Sequence, residues 1–376
     1  MRIALISTYP PIECGIATYS NFLVDAMRTS ANELHVVSQY GAEGKSVYPA
    51  YCAKQGDIAK KIFDMTMRFT PDIVHIQHEY GLFGEMNGIA VLDLIYRLKS
   101  TTMPTVATLH TVHPKPEHRN KLILSTMCRE LDSVIVHEKI LADTLQTVYG
   151  ADPKKIAIIP HGARKIPPVK DAKKKLKLEG KKVVLLVGYF RPSKCFDRIV
   201  DIFPKVVEKC PKATLVISGK MRMVDFSQYR NDLFEKIDNS PVRDNIEVFR
   251  GQFPQDTFDT IISASDVITF PYQEGAQSGV MAHAFSFGKP IVCSNLPAFK
   301  SIINDSKAGF TAIEDEEYVD KIVSLLEDDK LYNECSENAL NYVKEKISWD
   351  IVAEQTLELY KKFDVCFPRS RYIYEG

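Results

Sequence analysis

The chain has 376 residues, 45% of them apolar and 26% charged, and its 48 basic residues are balanced by 48 acidic ones. That composition excludes a disordered chain, and the charge balance excludes a global field that would gather nucleic acid or an anionic membrane surface. At roughly 100–200 residues per domain, the length predicts two domains.

The opening run Ile3-Ala4-Leu5-Ile6 is too short for an export signal and is closed at once by Tyr9-Pro10-Pro11. It reads as a first strand, Arg2–Ser7. Further strands are predicted at Glu33–Ser38, Asp72–Ile76, Pro104–Leu109, Ser133–His137 and Lys155–Pro160, with segments of helical period between them. Such alternation is the pattern of βα units and a mostly parallel sheet.

The rhythm breaks at His161-Gly162, Pro167-Pro168 and a lysine-rich stretch, Lys170 to Lys182, which reads as a solvated connection. Strands then resume at Val183–Val187, Ala213–Ser218, Asn245–Phe249, Asp266–Phe270, Pro290–Cys293 and Gly309–Thr311. The expectation is an α/β chain of two Rossmann-like, doubly wound domains facing across a cleft, the first over 1–165 and the second over 166–347. A last helix, about 348–363, carries an apolar stripe through Ile351, Val352 and Leu359 and is expected to cross back onto the first domain.

Eight cysteines are scattered without a C-x-x-C pair, which fits a reducing cytoplasm and no zinc centre. No stretch approaches the roughly 20 apolar residues of a membrane span. Nothing in the sequence marks a membrane attachment or an oligomeric state.

In parallel sheets ligands bind beyond the carboxyl ends of strands, so chemistry is sought in the loops there. The first such loop runs from Ser7 to Ala17, and Gly15 opens a helix that reaches Met27, offering backbone amides to a substrate. The segment Gly41-Ala42-Glu43-Gly44-Lys45-Ser46 imitates a nucleoside triphosphate loop but is two residues short between its glycines, and no helix follows.

Two strands end in H-x-x-H turns, His75/His78 and His110/His113. Positions three apart on a strand point to opposite faces, which disfavours a shared metal. His78 and His110 are read singly, as polar groups meeting sugar hydroxyls, with a hydrogen-bonded structural histidine as the competing reading for each. His75, inside the apolar run, reads as structural.

The second half opens with Val187-Gly188-Tyr189-Phe190-Arg191-Pro192-Ser193-Lys194 between strand and helix. Glycine with two cations at such a junction suits a diphosphate, whose charge grows as a glycosidic bond breaks. The last segment is Phe270-Pro271-Tyr272-Gln273-Glu274-Gly275-Ala276-Gln277-Ser278-Gly279-Val280. Gln277, Ser278, Gly279 and Val280 open a helix toward phosphate oxygens, whereas Glu274, of like charge, suits the hydroxyls of a donor sugar.

Taken together, the Pro-Pro…Gly15 loop, Asp72–Gly81, Thr108–His110, Lys155–Gly162, Arg191…Lys194, Ser263–Glu274, Gly288-Lys289-Pro290 and the Trp349 helix resemble family 4 glycosyltransferases of the GT-B fold (glycosyl transferases group 1). The resemblance implies a retaining hexosyltransferase acting from a nucleoside-diphosphate sugar, GDP-mannose or UDP-glucose foremost, onto a glycan or other hydroxyl acceptor. It implies neither cofactor nor metal, and the balanced charge argues against a nucleic-acid partner. By carry-over His110, Glu274, Arg191 and Lys194 form the catalytic set. Gly15, Gly188 and the Gln277–Val280 turn hold the donor diphosphate, and His78 and Glu79 lie on the acceptor side.

Three positions depart from the family pattern. Ala282 stands where a second glutamate is common, Tyr189 where arginine often follows the glycine, and Cys195 where glycine commonly follows the lysine. Two rival functions remain from the sequence: a sugar-nucleotide epimerase on the same fold, and a non-catalytic subunit that binds nucleotide sugar or glycan.

Overall fold

The computed structural model describes residues 1–28, 32–220, 226–251, 253–275 and 278–364. The chain divides into two compact units, one formed by Met1–Gly162 together with Trp349–Gly376 and the other by Ala163–Ser348.

The first unit is built on a seven-stranded sheet. Its strands are β1 (Arg2–Ile6), β2 (Glu33–Gln39), β3 (Val47–Tyr51), β4 (Ile73–His78), β5 (Thr105–Leu109), β6 (Ser133–Val136) and β7 (Ile156–Ile158), in the order β3-β2-β1-β4-β5-β6-β7 and all parallel. A parallel sheet is covered by helices on both faces, so its strands are apolar without alternation. In β1 every residue after Arg2 is buried, and in β4 all six are.

β3 escapes the sequence reading for a definable reason. It contains Pro49, which removes a ladder donor and is tolerated because β3 lies at the sheet edge. Gly41 to Ser46 form the turn into this strand, with Gly41, Gly44 and Ser46 all at positive φ. The imitation phosphate loop therefore leads into a strand and never meets a helix N-terminus.

The second unit carries β8 (Lys182–Tyr189), β9 (Ala213–Lys220), β10 (Ile246–Arg250), β11 (Val267–Phe270), β12 (Ile291–Ser294) and β13 (Gly309–Ala312), parallel and ordered β10-β9-β8-β11-β12-β13. Val184, Leu186, Ile217, Ile268 and Val292 from these strands join Phe196, Phe203 and Phe285 from the helices in one buried core. Within the lysine-rich stretch, Lys173 is set apart: its Nζ donates to both carboxylate oxygens of Asp266, at 2.9 and 2.7 Å.

The last helix, Trp349–Asp364, belongs to the first unit. It puts Trp349, Val352, Ala353, Leu359 and Tyr360 into the same core as Tyr19, Leu23 and Val24 of the helix Gly15–Met27. Gly162 closes against it, because a Cβ there would lie 2.3 Å from the Trp349 indole.

Among the described residues no helix is long and apolar enough to cross a membrane, and the seven described cysteines are free thiols.

Candidate active site

Each sheet reverses its strand order once, between β1 and β4 in the first unit and between β8 and β11 in the second. At such a switch point the connections leave to opposite faces, so the loops part and open a crevice at the carboxyl ends. The sequence-derived site residues fall beside these two places.

In the first unit Gly15 follows β1 and opens its helix in the open, with nothing within 4 Å of an added Cβ. Cys14 caps that helix, its Sγ accepting from the Ala17 amide at 3.4 Å. The loops after β4 and β5 are joined: the His110 amide donates to the His78 carbonyl at 3.1 Å, and Thr111 Oγ1 donates to Glu79 Oε2 at 2.6 Å. Glu79 Oε1 also accepts from the Tyr80 amide, at 3.0 Å, so both its oxygens are engaged in shaping the turn.

Strand alternation separates the two histidines of the first H-x-x-H. His75 and Gln77 share one face of β4; Thr108 of β5, which pairs with Gln77, and His110, just past the end of that strand, continue it. His78, on the opposite face, is fully buried, stacked on Phe83 with its edge toward Tyr80, and neither ring nitrogen has a hydrogen-bond partner. Burial pushes its pKa down to about 4.

His110 is buried beside Tyr19, whose ring also contacts His137, His161 and Trp349 at centroid distances of 4.8 to 5.4 Å. Desolvation first, and then the neighbouring histidines, hold the His110 pKa well below its ordinary value. It therefore stands as a neutral ring near pH 7. Among the described residues no group of three or more His, Cys, Asp or Glu side chains is arranged to hold a metal ion.

In the second unit Gly188 ends β8 at φ +142°, and its carbonyl leaves no room for a side chain on the paired Gly219, where a Cβ would come within 1.9 Å. The chain then turns through Pro192–Lys194. A backbone bond from Gln273 to the Ser193 carbonyl, at 3.0 Å, ties this turn to the loop after β11. Lys194 Nζ comes to rest 3.3 Å from the centre of the Tyr272 ring, and the Tyr272 hydroxyl would lie 4.0 Å from a Gly188 Cβ.

One cluster thus unites Gly188, Lys194 and the Tyr272–Glu274 loop. Ser278 accepts from the Met281 amide through its side chain at 3.3 Å and so caps the helix Gly279–Ser286, with Gly279 and Val280 in its first turn. Glu274 and Arg191 are exposed beside this cluster. Gln277 lies outside the described residues.

Lys194 is the electrostatic centre of this cluster. Half-buried, it has its pKa pushed down to about 6, by desolvation first and by the Arg191 charge second. Two cations brought together without an anion disfavour one another, and a bound diphosphate reverses that balance.

The departures from the family pattern also have places. Ala282 is packed in the core, so its turn offers no carboxylate. His283 beside it is held by Asp259 at 2.9 Å, and Asp259 also binds Arg164 at 2.5 Å and Gln255 at 2.8 Å. Cys195 takes the left-handed conformation, φ +48° and ψ 45°, which glycine adopts more readily.

Gln77 and Tyr272 were missed in the sequence. Their only signal there was position: Gln77 lies two residues after His75, and Tyr272 two before Glu274, each at a strand's carboxyl end.

Comparison with known proteins assigns this architecture. Residues 16–164 match the family described as Glycosyltransferase Family 4, and residues 169–342 match Glycosyl transferases group 1. The phosphatidyl-myo-inositol mannosyltransferase of Mycolicibacterium smegmatis is 22% identical over 386 residues, an alignment covering 96% of this chain and 94% of that protein. Sucrose-phosphate synthase from Thermosynechococcus elongatus superposes with a TM-score of 0.80 at 16% identity, covering 98% of this chain and 100% of the other. Anabaena HepE, solved in complex with UDP, gives 0.76 at 15% identity over 96% of this chain and 100% of its own. Two matched regions lying end to end, on two switch-point sheets, make this chain a member of glycosyltransferase family 4 with the GT-B fold.

Proposed function

We propose that the chain transfers a hexose, with retention of anomeric configuration, from GDP-mannose or UDP-glucose to a hydroxyl of a glycan or small acceptor. The observation that carries this reading is the cluster at the β8/β11 switch point, where Gly188, Lys194, Tyr272 and the Ser278-capped helix converge on one loop pair. The relative named for mannosyl transfer supports mannose, and the structure of HepE with UDP-glucose supports glucose.

In this reading Arg191 and Lys194 compensate the charge that the departing nucleoside diphosphate gains, and the first-turn amides at Gly279 and Val280 add donors. These cations serve where a metal would otherwise sit. Glu274 accepts from donor-sugar hydroxyls. The neutral His110 ring hydrogen-bonds the sugar, while Gly15 leaves the β1 loop open to substrate and the loop around His78 and Glu79 borders the acceptor. Retention follows from attack on the face the phosphate leaves, with the phosphate oxygen taking the acceptor proton, so no carboxylate nucleophile is required.

The test is a panel of labelled sugar nucleotides with and without acceptors. Transfer should require an acceptor, and Glu274→Ala and Lys194→Ala should each lower it by about tenfold or more in folded protein. Isomerised donor without acceptor dependence would instead indicate an epimerase, and near-wild-type rates in both variants would sink the site assignment.

A further inference from the structure

A buried chain of hydrogen bonds runs behind His110 in the first unit. His110 Nε2 lies 2.8 Å from Gln77 Oε1. The other end of the same amide, Gln77 Nε2, lies 3.2 Å from His75 Nε2. That ring nitrogen also receives Thr108 Oγ1 at 2.8 Å, while His75 Nδ1 meets the Tyr360 hydroxyl at 2.5 Å. Gln77, His75, Thr108 and Tyr360 are all almost wholly inaccessible to solvent.

The donors and acceptors of this chain allow one consistent assignment with the amide so placed. The Gln77 NH2 group donates, so His75 Nε2 carries a lone pair to which the Thr108 hydroxyl also donates, and a neutral His75 then bears its proton on Nδ1 and donates to Tyr360. Neutrality of His75 is enforced by burial, which pushes its pKa down to about 3. Gln77 Oε1 is then an acceptor, and His110 must present Nε2–H to it. His110 Nδ1 becomes the acceptor of that ring.

We infer that Gln77 is a positioning residue that sets the tautomer of His110, anchored through His75 to Tyr360 on the last helix. The inference rests on the reading of His110 as a substrate-facing group. It adds a specific consequence: His110 meets the substrate as a hydrogen-bond acceptor at Nδ1, suited to a hydroxyl and unsuited to a phosphate oxygen, which offers no proton. A second-sphere partner that fixes which ring nitrogen holds the proton is a recurrent device wherever histidine orientation matters.

The experiment is a long-range 1H–15N spectrum of the full chain labelled on histidine, with His110 assigned by the signals lost in His110→Asn. Wild type should show a protonated Nε2 and an unprotonated Nδ1 for His110 across pH 6 to 8. Gln77→Leu should draw the two nitrogen shifts together as both tautomers populate, and should lower transfer about tenfold, the loss of one oriented hydrogen bond. Gln77→Glu, which keeps an acceptor facing His110 Nε2, should return the proton to that nitrogen.

An unprotonated Nε2 in wild type overturns the inference, as does an unaltered His110 pattern in Gln77→Leu. Should the leucine variant not fold, the wild-type and Gln77→Glu spectra decide. A His110→Asn enzyme working at full rate overturns the substrate-facing reading of His110, while the ring spectra still decide the relay on their own.

Discussion

Lys194 Nζ lies 3.3 Å from the centre of the Tyr272 ring, and desolvation at this place, with the Arg191 charge second, pushes its pKa down to about 6. The free protein therefore carries an uncharged amine there at pH 7 to 8. A nucleoside diphosphate pairs with the ammonium form and raises that pKa, so binding takes up a proton. Once the terminal phosphate is itself fully ionised, above about pH 7, affinity for UDP or GDP should fall as pH rises toward 8. Calorimetry in buffers of different ionisation heat should detect uptake approaching about one proton, and Lys194→Met should abolish it. A pH-independent affinity over this range would count against the assignment.

Acid should weaken the first unit early. Burial lowers the pKa of His75 and His137 to about 3, of His78 to about 4 and of His110 well below its ordinary value. A histidine whose folded pKa is depressed lends stability that is present above its unfolded pKa of about 6.5 and is lost as pH falls toward the folded value. His75, His137 and His78 should each remove on the order of 1 kcal/mol per pH unit between about pH 6 and 4, and His110 acts in the same direction. Urea midpoints followed over that interval measure the slope; a flat profile would show that these rings are not neutral in the native state.

Gly162→Ala should destabilise the first unit. The added methyl would stand 2.3 Å from the indole of Trp349, which is already flanked by Tyr19, Phe22 and His161. Overpacking of this kind costs about 1–3 kcal/mol. Trp349 is the one tryptophan of the chain, so its fluorescence reports the displacement directly. An unshifted emission maximum with an unchanged denaturation midpoint would contradict the close contact.

Position 195 should prefer glycine to alanine. Cys195 sits at φ +48°, where any side chain costs roughly 1–2 kcal/mol, and its Sγ is 3.3 Å from the Pro192 carbonyl. Cys195→Ala loses the thiol and keeps the strain; Cys195→Gly loses the thiol and sheds the strain. The glycine variant should therefore melt about 2–4 °C above the alanine variant. The reverse order would mean that the turn relaxes out of the left-handed region once the thiol is gone.

Legibility in the sequence followed the range of the interactions involved. Buried parallel strands announce themselves as short apolar runs, and each such run before Pro160 and after Lys182 lies on a strand. β3 did not, since an edge strand needs neither a continuous apolar run nor every amide, and Pro49 disguised it further. Loop residues such as Gly188, Lys194 and Ser278 were readable because glycine, cations and a capping hydroxyl at a strand end have local meaning. Gln77 and Tyr272 acquire theirs only from partners 33 and 78 residues away, His110 and Lys194, through strand pairing and loop contact. Ala282 was visible as a departure, but only its burial showed that the helix Gly279–Ser286 turns that position into its core.

The last helix has a consequence for synthesis. Trp349, Val352 and Tyr360 fill the core of a unit whose other strands are all made before residue 163. The second unit is thus an insertion, contiguous from Ala163 to Ser348, and can complete itself on the ribosome while the first still lacks one of its core helices. The unit translated first is the one finished last. Until Tyr360 emerges, His75 Nδ1 has no hydroxyl to bond, and the apolar face of the helix Gly15–Met27 must wait uncovered for a partner encoded more than three hundred residues downstream.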